Sequence, residues 1–590
     1  MSTITWQEKA TAKRESLLGL IPAEWRLPSP LPPPSELPNV TGPEIRKYLS
    51  PAEIEITESS AVDIVRKTCS GEWKSEDVAR AFCHRAAVAH QMISCLHEIL
   101  FESALARARE LDLYLATHEK PLGPLHGLPV SLKDSIHVAG ADTSMGIVGW
   151  LDTFEGLPHT ATSKSQSSTI VHTLLSLGAI PYVKTSVPQA SFAGETVNHI
   201  IGHTPNPANR SLVVGGSSGG EGGLLALRAS PLGLGTDIGG SIREPAAFNG
   251  LVGLKPSRGR LPYQGIASIA DGAPGVGFVV GPMGHSVQDL GFFMMALLAA
   301  EPWRVDPGVV ELPWRDQVFE ETRRRFAGKN EKEKMAFGVL LSDGVVNPQP
   351  PVSRALREVV KAVEALGHSV IEWNPPSHAE ALKIWARLQP PLHQPRTQLT
   401  TPSKQRDTVT VDGGSTFHTS ISLANEPPTP TIFGKTPQPP VPATEVMQRS
   451  IALRTYRRKY LEYWESTAEL TGTGRPVDAL IVPVHQGCAT LPGRVRYMGY
   501  TCAVNVLDYS ACAIPVTRVR KDVDVYSVGE KGYEGLSHLD KLVHEDYDAE
   551  LLDGAPVGVQ IVGRRLQEES VLALAEEITR ELGKGEQARL

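Results

Sequence analysis

Residues 213–245 read VVGGSSGGEGGLLALRASPLGLGTDIGGSIREP. An apolar run enters a Gly/Ser turn, and a second run, LGLGTDIGG at 232–240, enters another, so two strand-like segments each end on serines set among glycines. Glycine permits positive φ and lets a ligand approach the main chain, which makes Ser217, Ser218 and Ser241 candidates for reactive positions; a pair of solvated loops is the plain alternative. Outward from this stretch, short apolar runs recur at GLPVSLKD (127–134), TLLSLGAIPYVKT (173–185), LVVGG (212–216) and FNGLVGLKP (248–256), with helical patterns between them. That interleaving predicts an α/β body around a buried sheet. Residues 335–373 make a strand-helix-strand unit, and DALIVP (478–483), AVNVLDYSACAIPV (503–516) and APVGVQIVG (555–563) are expected to return to the same sheet.

Residues 1–60 read as helical pieces broken by the proline-rich LPSPLPPPSELP, an arm lying over the main body. From SAVDIVRKT to ALARARELDLYLATHEK the apolar spacing is helical, with Ser75 before Glu76 and Asp77 as the expected N-cap. Between about 389 and 442 the pattern dissolves into Pro, Thr, Ser and Gln, which predicts a long insertion, either a lid over a pocket or a mobile excursion. The expected division is the arm at 1–60 and one large domain at 61–590 carrying that insertion.

Composition narrows the function. The net charge of −7 over 590 residues leaves no basic surplus for a phosphate backbone, which argues against nucleic acid as a partner. GFFMMALLAA (291–300) is too short to span a bilayer and follows a helix start at Ser286 and Asp289, so a buried helix is expected and no stable membrane anchor. The N-terminal residues carry charges throughout, unlike a signal peptide. Six cysteines without a CxxC pair suit a reducing interior, and the cytoplasm is the expected location. Competing with it, Ala588-Arg589-Leu590 is related to the small-basic-Leu peroxisomal address.

The chemistry turns on which serine attacks and what removes its proton. Gly215-Gly216-Ser217-Ser218-Gly219 fits the G-x-S-x-G nucleophile elbow, which nominates Ser217 in an α/β-hydrolase esterase with His485, His538 or His544 as base. Ser241 follows Ile238-Gly239-Gly240, and consecutive small residues can turn several backbone N–H groups toward one point, as an oxyanion hole requires. A serine hydroxyl needs an adjacent base, and residues 204–284 hold no histidine, so a histidine base would have to come from elsewhere in the fold. Lys133 ends the apolar run LPVSL; burial there would desolvate its charged form and lower its proton affinity, and a neutral lysine is a base. The competing role is an ion pair with Asp134 or another carboxylate. Cys488, in VHQGC, reads as a small buried hydrophobe rather than a thiol nucleophile.

Taken together, GPLHGLPVSLKDSIHVAGADTSMG (123–146), the Gly/Ser block through RLP at 262, and the 24-residue spacing from Ser217 to Ser241 resemble the amidase signature family. The likeness continues through KTSVPQASFAGETVNHIIGHTPNP, YTCAVNVLDYSACAIPV and APVGVQIVGRRLQEES, from about 60 to 580. KRESLLGLIPAEWRLP, NPQPPVSRAL and HSVIEWNPPSH are similar to the fungal acetamidase and general-amidase branch, with fatty acid amide hydrolases as near relatives. The resemblance implies a central mixed β-sheet flanked by helices on both faces, and hydrolysis of amides to an acid plus ammonia or an amine without metal or cofactor. It implies Ser241 as nucleophile, Ser217 as bridging serine with a cis peptide, and Lys133 as base. Backbone N–H groups of Ile238, Gly239, Gly240 and Ser241 would form the oxyanion hole, with Asp237 and Arg243 organising the loop and Ser218 holding either Lys133 or the loop by hydrogen bonding. Ser191, Phe192 and Glu195 fall where relatives line the acyl pocket, a core position being the alternative for Phe192; Thr143, Ser144 and Met145 lie close to the Lys133 strand and are expected to shape the site, and a homodimer is the expected assembly. A glutaminase-type amidotransferase subunit, which shares the triad, is the remaining alternative.

Overall fold

In a computed structural model, the described residues are 4–587 except 273, 329–332, 389–410, 527–532 and 534. The first part of the expected insertion, 389–410, and the Ala588-Arg589-Leu590 tail therefore lie outside them. Among the described residues there are fifteen strands: β1 Leu96–Ile99, β2 Pro129–Lys133, β3 Ile180–Thr185, β4 Val197–Asn198, β5 Gly202–His203, β6 Pro205–Asn206, β7 Asn209–Val213, β8 Leu232–Asp237, β9 Val252–Lys255, β10 Val279–Gly284, β11 Ala336–Val339, β12 Ser369–Glu372, β13 Ala479–Pro483, β14 Ser510–Arg518 and β15 Pro556–Gly563. Eleven of them form one mixed sheet in the order β1-β3-β2-β8-β10-β9-β14-β15-β13-β11-β12. Short two-stranded pairs, β4 with β5 and β6 with β7, stand outside it. LVVGG thus does not enter the main sheet: β7 pairs with β6 across a tight turn in which the Asn206 carboxamide accepts from Ala208 N–H at 3.0 Å.

The sheet is covered on both faces. On β15 a Cβ at Gly558 would touch Ala247 of the helix Arg243–Phe248, whereas one at Gly563 would touch Val571 of the helix Glu568–Gln587. These residues differ in parity, and alternate residues of a strand face opposite sides. Burial on both faces explains why β2 and β8 read as apolar runs with little alternation.

Strands β2, β3 and β8 are parallel neighbours, with Lys133 opposite Thr185 and Leu132 opposite Leu234. Their C-terminal ends therefore share one edge, the place where open α/β sheets bind ligands. Helix Gly219–Ala226, four of whose eight residues are glycine, packs directly behind that edge. Its composition is poor for a helix, and close packing accounts for it: a Cβ on Gly220 would stand 2.3 Å from Ser186 N.

Elsewhere the local readings meet the structure unevenly. Ser286 caps helix Val287–Ala299, its hydroxyl accepting from Asp289 N–H at 3.0 Å. Ser75 does not cap its helix; it is the first helical residue, and Asp112 from the neighbouring helix Phe101–His118 accepts from Ser75 N–H and Glu76 N–H at 2.7 and 3.1 Å. A carboxylate from a packed neighbour has displaced the local hydroxyl, the stronger acceptor for an N-terminal N–H. The N-terminal helix Trp6–Gly19 reaches the body through Lys13 to Glu98 at 2.5 Å and Arg14 to the Ile200 carbonyl at 2.7 Å. Residues 411–442 carry the helix Ser415–Ser422, whose Phe417 and Ile421 join Met145, Trp150, Phe192 and Ile432 in an apolar cluster. Among the described residues no helix is long and apolar enough to cross a membrane, and all six cysteines are free thiols.

Candidate active site

Lys133, the last residue of β2, is fully buried at the shared strand edge. Its Nζ lies 2.7 Å from Ser217 Oγ, 2.9 Å from Thr236 Oγ1 and 3.4 Å from the Thr236 carbonyl. Burial pushes its pKa down to about 7, the charges of Asp237 and Glu221 opposing only in part. A neutral amine has two hydrogens and one lone pair, and the Thr236 carbonyl must take a hydrogen, so the lone pair can serve a hydroxyl. The Asp134 pairing weighed from sequence is not made: Asp134 instead faces Lys184 at 3.3 Å and His97 at 3.1 Å and accepts from Met145 N–H at 2.7 Å.

Ser217 and Ser218 lie between β7 and the glycine-rich helix, and the Gly216–Ser217 peptide is cis. Ser218 Oγ donates to the Thr236 carbonyl at 3.3 Å, and its N–H donates to the Ser241 carbonyl at 3.1 Å. Ser218 therefore ties its loop to β8 and to Ser241 rather than holding Lys133. Among the described residues no hydrogen bond joins the hydroxyls of Ser217 and Ser241, although the two loops are in backbone contact.

The 237–243 turn is organised around Asp237. Its carboxylate accepts from Gly240 N–H (2.9 Å), Ile242 N–H (3.1 Å), Asn505 Nδ2 (2.9 Å) and twice from Arg243. Burial alone would raise its pKa, but the Arg243 charge and these bonds hold it below the usual carboxylate range. Arg243 in turn reaches Gln560, Asn505 and the Thr501 carbonyl. The Gly240 N–H, expected among the oxyanion donors, is thus committed to Asp237. Gly240 has φ of +125°, and a Cβ there would stand 2.4 Å from Thr501 Oγ1, so only glycine fits. Trp385 Nε1 donates to the Ile238 carbonyl at 3.0 Å, and Thr501 Oγ1 donates to that of Gly239 at 2.6 Å.

Of the expected pocket residues, Met145, Ser191 and Phe192 come together. Ala190 N–H donates to the Met145 carbonyl at 2.7 Å, and Ser191 Oγ lies 3.7 Å from Met145 Sδ. Residues 193–195 run on against Gly216, where a Cβ would meet their backbone at 2.7–2.9 Å. Thr143 is engaged instead by Lys184 Nζ at 2.6 Å, Ser144 donates to Asp134 at 2.9 Å, and Glu195 accepts from Gly493 N–H.

The elbow reading of Ser217 finds no histidine. His485 contacts the Gly487 carbonyl and packs edge-on to Phe248, and His544 faces Asp540 and Tyr526. Among the described residues no histidine hydrogen-bonds either serine, whereas Lys133 does. Sequence reasoning missed Thr236, Thr501, Asn505, Gln560 and Trp385; the first sits one residue before Asp237 in the quoted block, Thr501, Asn505 and Gln560 fall in stretches that carry the family likeness without marking a role for them, and Trp385 carries no local signal.

The family model described as Amidase matches residues 77–572. The chain is 41% identical over 586 residues to an acetamidase of Aspergillus oryzae, covering 99% of this chain and 100% of the relative, and 40% identical over 583 residues to an acetamidase of Emericella nidulans, covering 98% of each. Among solved structures, a fatty acid amide hydrolase superposes with a TM-score of 0.84 at 29% identity, over 98% of this chain and 95% of that one. A peptide amidase from Stenotrophomonas maltophilia, at 20% identity and a TM-score of 0.60, covers 89% and 97% and shares the fold. An amidase model spanning most of the chain and full-length relatives near 40% identity show that this protein belongs to the amidase signature family and is an amide-hydrolysing enzyme.

Proposed function

We propose that the protein is a serine amidohydrolase in which Ser241 attacks the amide carbonyl, Ser217 relays the proton and Lys133 receives it. The observation that carries this reading is the 2.7 Å contact between a buried Lys133 amine, with its pKa brought down to about 7, and the Ser217 hydroxyl. In acylation the Ser241 oxygen forms a bond to the carbonyl carbon while its proton passes through Ser217 to Lys133. The same relay returns a proton to the nitrogen as the C–N bond breaks, and ammonia or an amine leaves. Water then attacks the acyl-enzyme by the same route and releases the acid. The Ser217–Ser241 link would close in the substrate complex, since catalytic hydrogen bonds often tighten only there.

The N–H groups of Ile238, Gly239 and Ser241 are the proposed oxyanion donors, with Gly240 N–H instead anchoring the turn on Asp237. Met145, Ser191 and Phe192 are proposed to line the acyl side. Relatives named acetamidases, matched over their whole length, favour a stand-alone enzyme for short primary amides over a glutaminase subunit. Residues 61–590 are taken as one catalytic domain, since the main sheet draws strands from Leu96 to Gly563. The test is ammonia release from a panel of acyl amides, with Ser241→Ala as control: turnover must vanish in the variant, and full activity would remove Ser241 from the mechanism.

A further inference from the structure

Glu244, in the first turn of the helix Arg243–Phe248, is fully buried behind the 238–241 turn. Its Oε1 lies 2.9 Å from Thr501 Oγ1, and its Oε2 has no hydrogen-bond partner. Thr501 Oγ1 also lies 2.6 Å from the Gly239 carbonyl and 3.0 Å from that of Met498. A hydroxyl carries one hydrogen, and carbonyls only accept. With Glu244 ionised, Thr501 would face three acceptors with a single proton, and a buried carboxylate would keep one oxygen bare. With Glu244 protonated, its O–H donates to Thr501 Oγ1 and frees the Thr501 hydrogen for the Gly239 carbonyl, the shortest of the three contacts.

We propose that Glu244 is a positioning residue: as a neutral acid it orients Thr501, and through Thr501 the Gly239 carbonyl, so that the turn presents the Gly239 and Ser241 N–H groups to the substrate carbonyl. The turn rests directly on this pair, because a Cβ at Gly240 would stand 2.4 Å from Thr501 Oγ1 and 2.8 Å from Glu244 Oε1. The charged and titratable groups around it are Arg243 on its own helix, Asp237 at the end of β8 and the Cys502 thiol on the helix Gly499–Leu507. Burial raises the Glu244 carboxyl to about 8; the Thr501 bond and the Arg243 charge oppose this, and Asp237 adds to it. Arg243 turns its guanidinium to Asp237 through two bonds, and the Asp237 carboxylate offsets its charge at Glu244. The sign follows: the acid donates below about pH 8, and deprotonation above it withdraws the hydrogen from Thr501 and loosens the turn.

This inference rests on Ser241 being the nucleophile, and the experiment separates the two. Glu244→Leu is expected to lower kcat for a short primary amide by about 10²-fold, the scale of one misplaced oxyanion donor, with KM little changed. Glu244→Gln, whose amide N–H can still donate to Thr501, is expected to recover most of that loss and to lack the parent's fall in activity above about pH 8. Infrared difference spectra of Ser241→Ala with and without Glu244→Gln should show a carboxylic-acid C=O band that the glutamine removes and that titrates away above about pH 8. This readout needs no turnover, so it decides Glu244 even if Ser241→Ala keeps activity. Absence of the band, or an unchanged alkaline limb in Glu244→Gln, overturns the proposal; should Glu244→Leu fail to fold, the glutamine variant and the band still decide.

Discussion

The Nζ of Lys133 lies 2.7 Å from the hydroxyl oxygen of Ser217, a residue 84 positions further along the chain. The contact exists because β2 and β8 are parallel neighbours and the Gly/Ser turn packs over their common edge. Lysine is useful there only when neutral, and burial supplies that condition near pH 7.

Activity should therefore show an acid limb set by Lys133. Below about pH 7 the amine is protonated and cannot accept, so kcat/KM is expected to fall about tenfold per pH unit. Lys133→Met should lose 10²–10⁴-fold at pH 7, on the order expected for a general base, and should regain part of it as hydroxide rises. Stability carries a second signature in a higher window: between about 7 and 10.5 the unfolded lysine holds a proton that the folded one lacks, so stability rises with pH across that window. Lys133→Met should flatten that rise in thermal unfolding measured from pH 7 to 10; an acid limb retained in the variant would assign it to another group.

The two serines are expected to separate in covalent labelling. A fluorophosphonate probe should modify Ser241 in the parent, leave Ser241→Ala unlabelled and label Ser217→Ala more slowly, because in the proposed mechanism that variant keeps the nucleophile and loses the relay. Peptide mapping by mass spectrometry identifies the modified residue. Label on Ser217 in the parent would restore the elbow role that G-x-S-x-G suggested.

The parts of this site that are local in sequence could be read from it. The Gly/Ser blocks and the Lys133 strand are contiguous motifs, and their apolar runs became strands β2 and β8. LVVGG misled because an apolar run announces a strand but not its partner, and β7 found β6 rather than the sheet. Thr501, Asn505 and Gln560 were invisible for a different reason. They stand 258 to 317 positions from Arg243, in helices and strands whose own patterns mark only core, and only the sheet order brings them beneath the turn. Asp112 capping a helix that begins at Ser75 is the same lesson on a smaller scale: a tertiary acceptor outranked the local one.

Asp237 and Arg243 should act as a unit in folding. Both are fully buried, 3.0 Å apart, and each satisfies the other while binding the turn. Asp237→Ala leaves a buried guanidinium without its counter-charge and frees Gly240 and Ile242 N–H, for an expected loss of about 3–5 kcal/mol in denaturant unfolding. Arg243→Lys should lose less but still substantially, because an ammonium cannot span Asp237, Gln560 and Asn505 together. Near-parental stability of Asp237→Ala would mean that the turn is held by Trp385 and Thr501 instead.

Acyl-chain preference should lie with Phe192. Its ring belongs to the apolar cluster shared by Met145, Trp150 and the 411–442 residues Phe417, Ile421 and Ile432, and Phe433 N–H fixes its carbonyl at 3.0 Å. The residues that follow Phe192, 193–195, pack against Gly216, next to Ser217, which brings position 192 near the proposed site and makes it the position to test for the acyl tail. Phe192→Ala opens apolar space at that point. Each methylene that enters it is worth about 0.8 kcal/mol, or roughly fourfold in kcat/KM, so two or three added carbons should raise the ratio of longer-chain to acetyl amide hydrolysis by about 15- to 60-fold. Competition assays with a homologous amide series measure that ratio directly. A uniform loss of activity at unchanged ratio, together with a lowered melting temperature, would place Phe192 in the core of the cluster and move the acyl pocket to another wall.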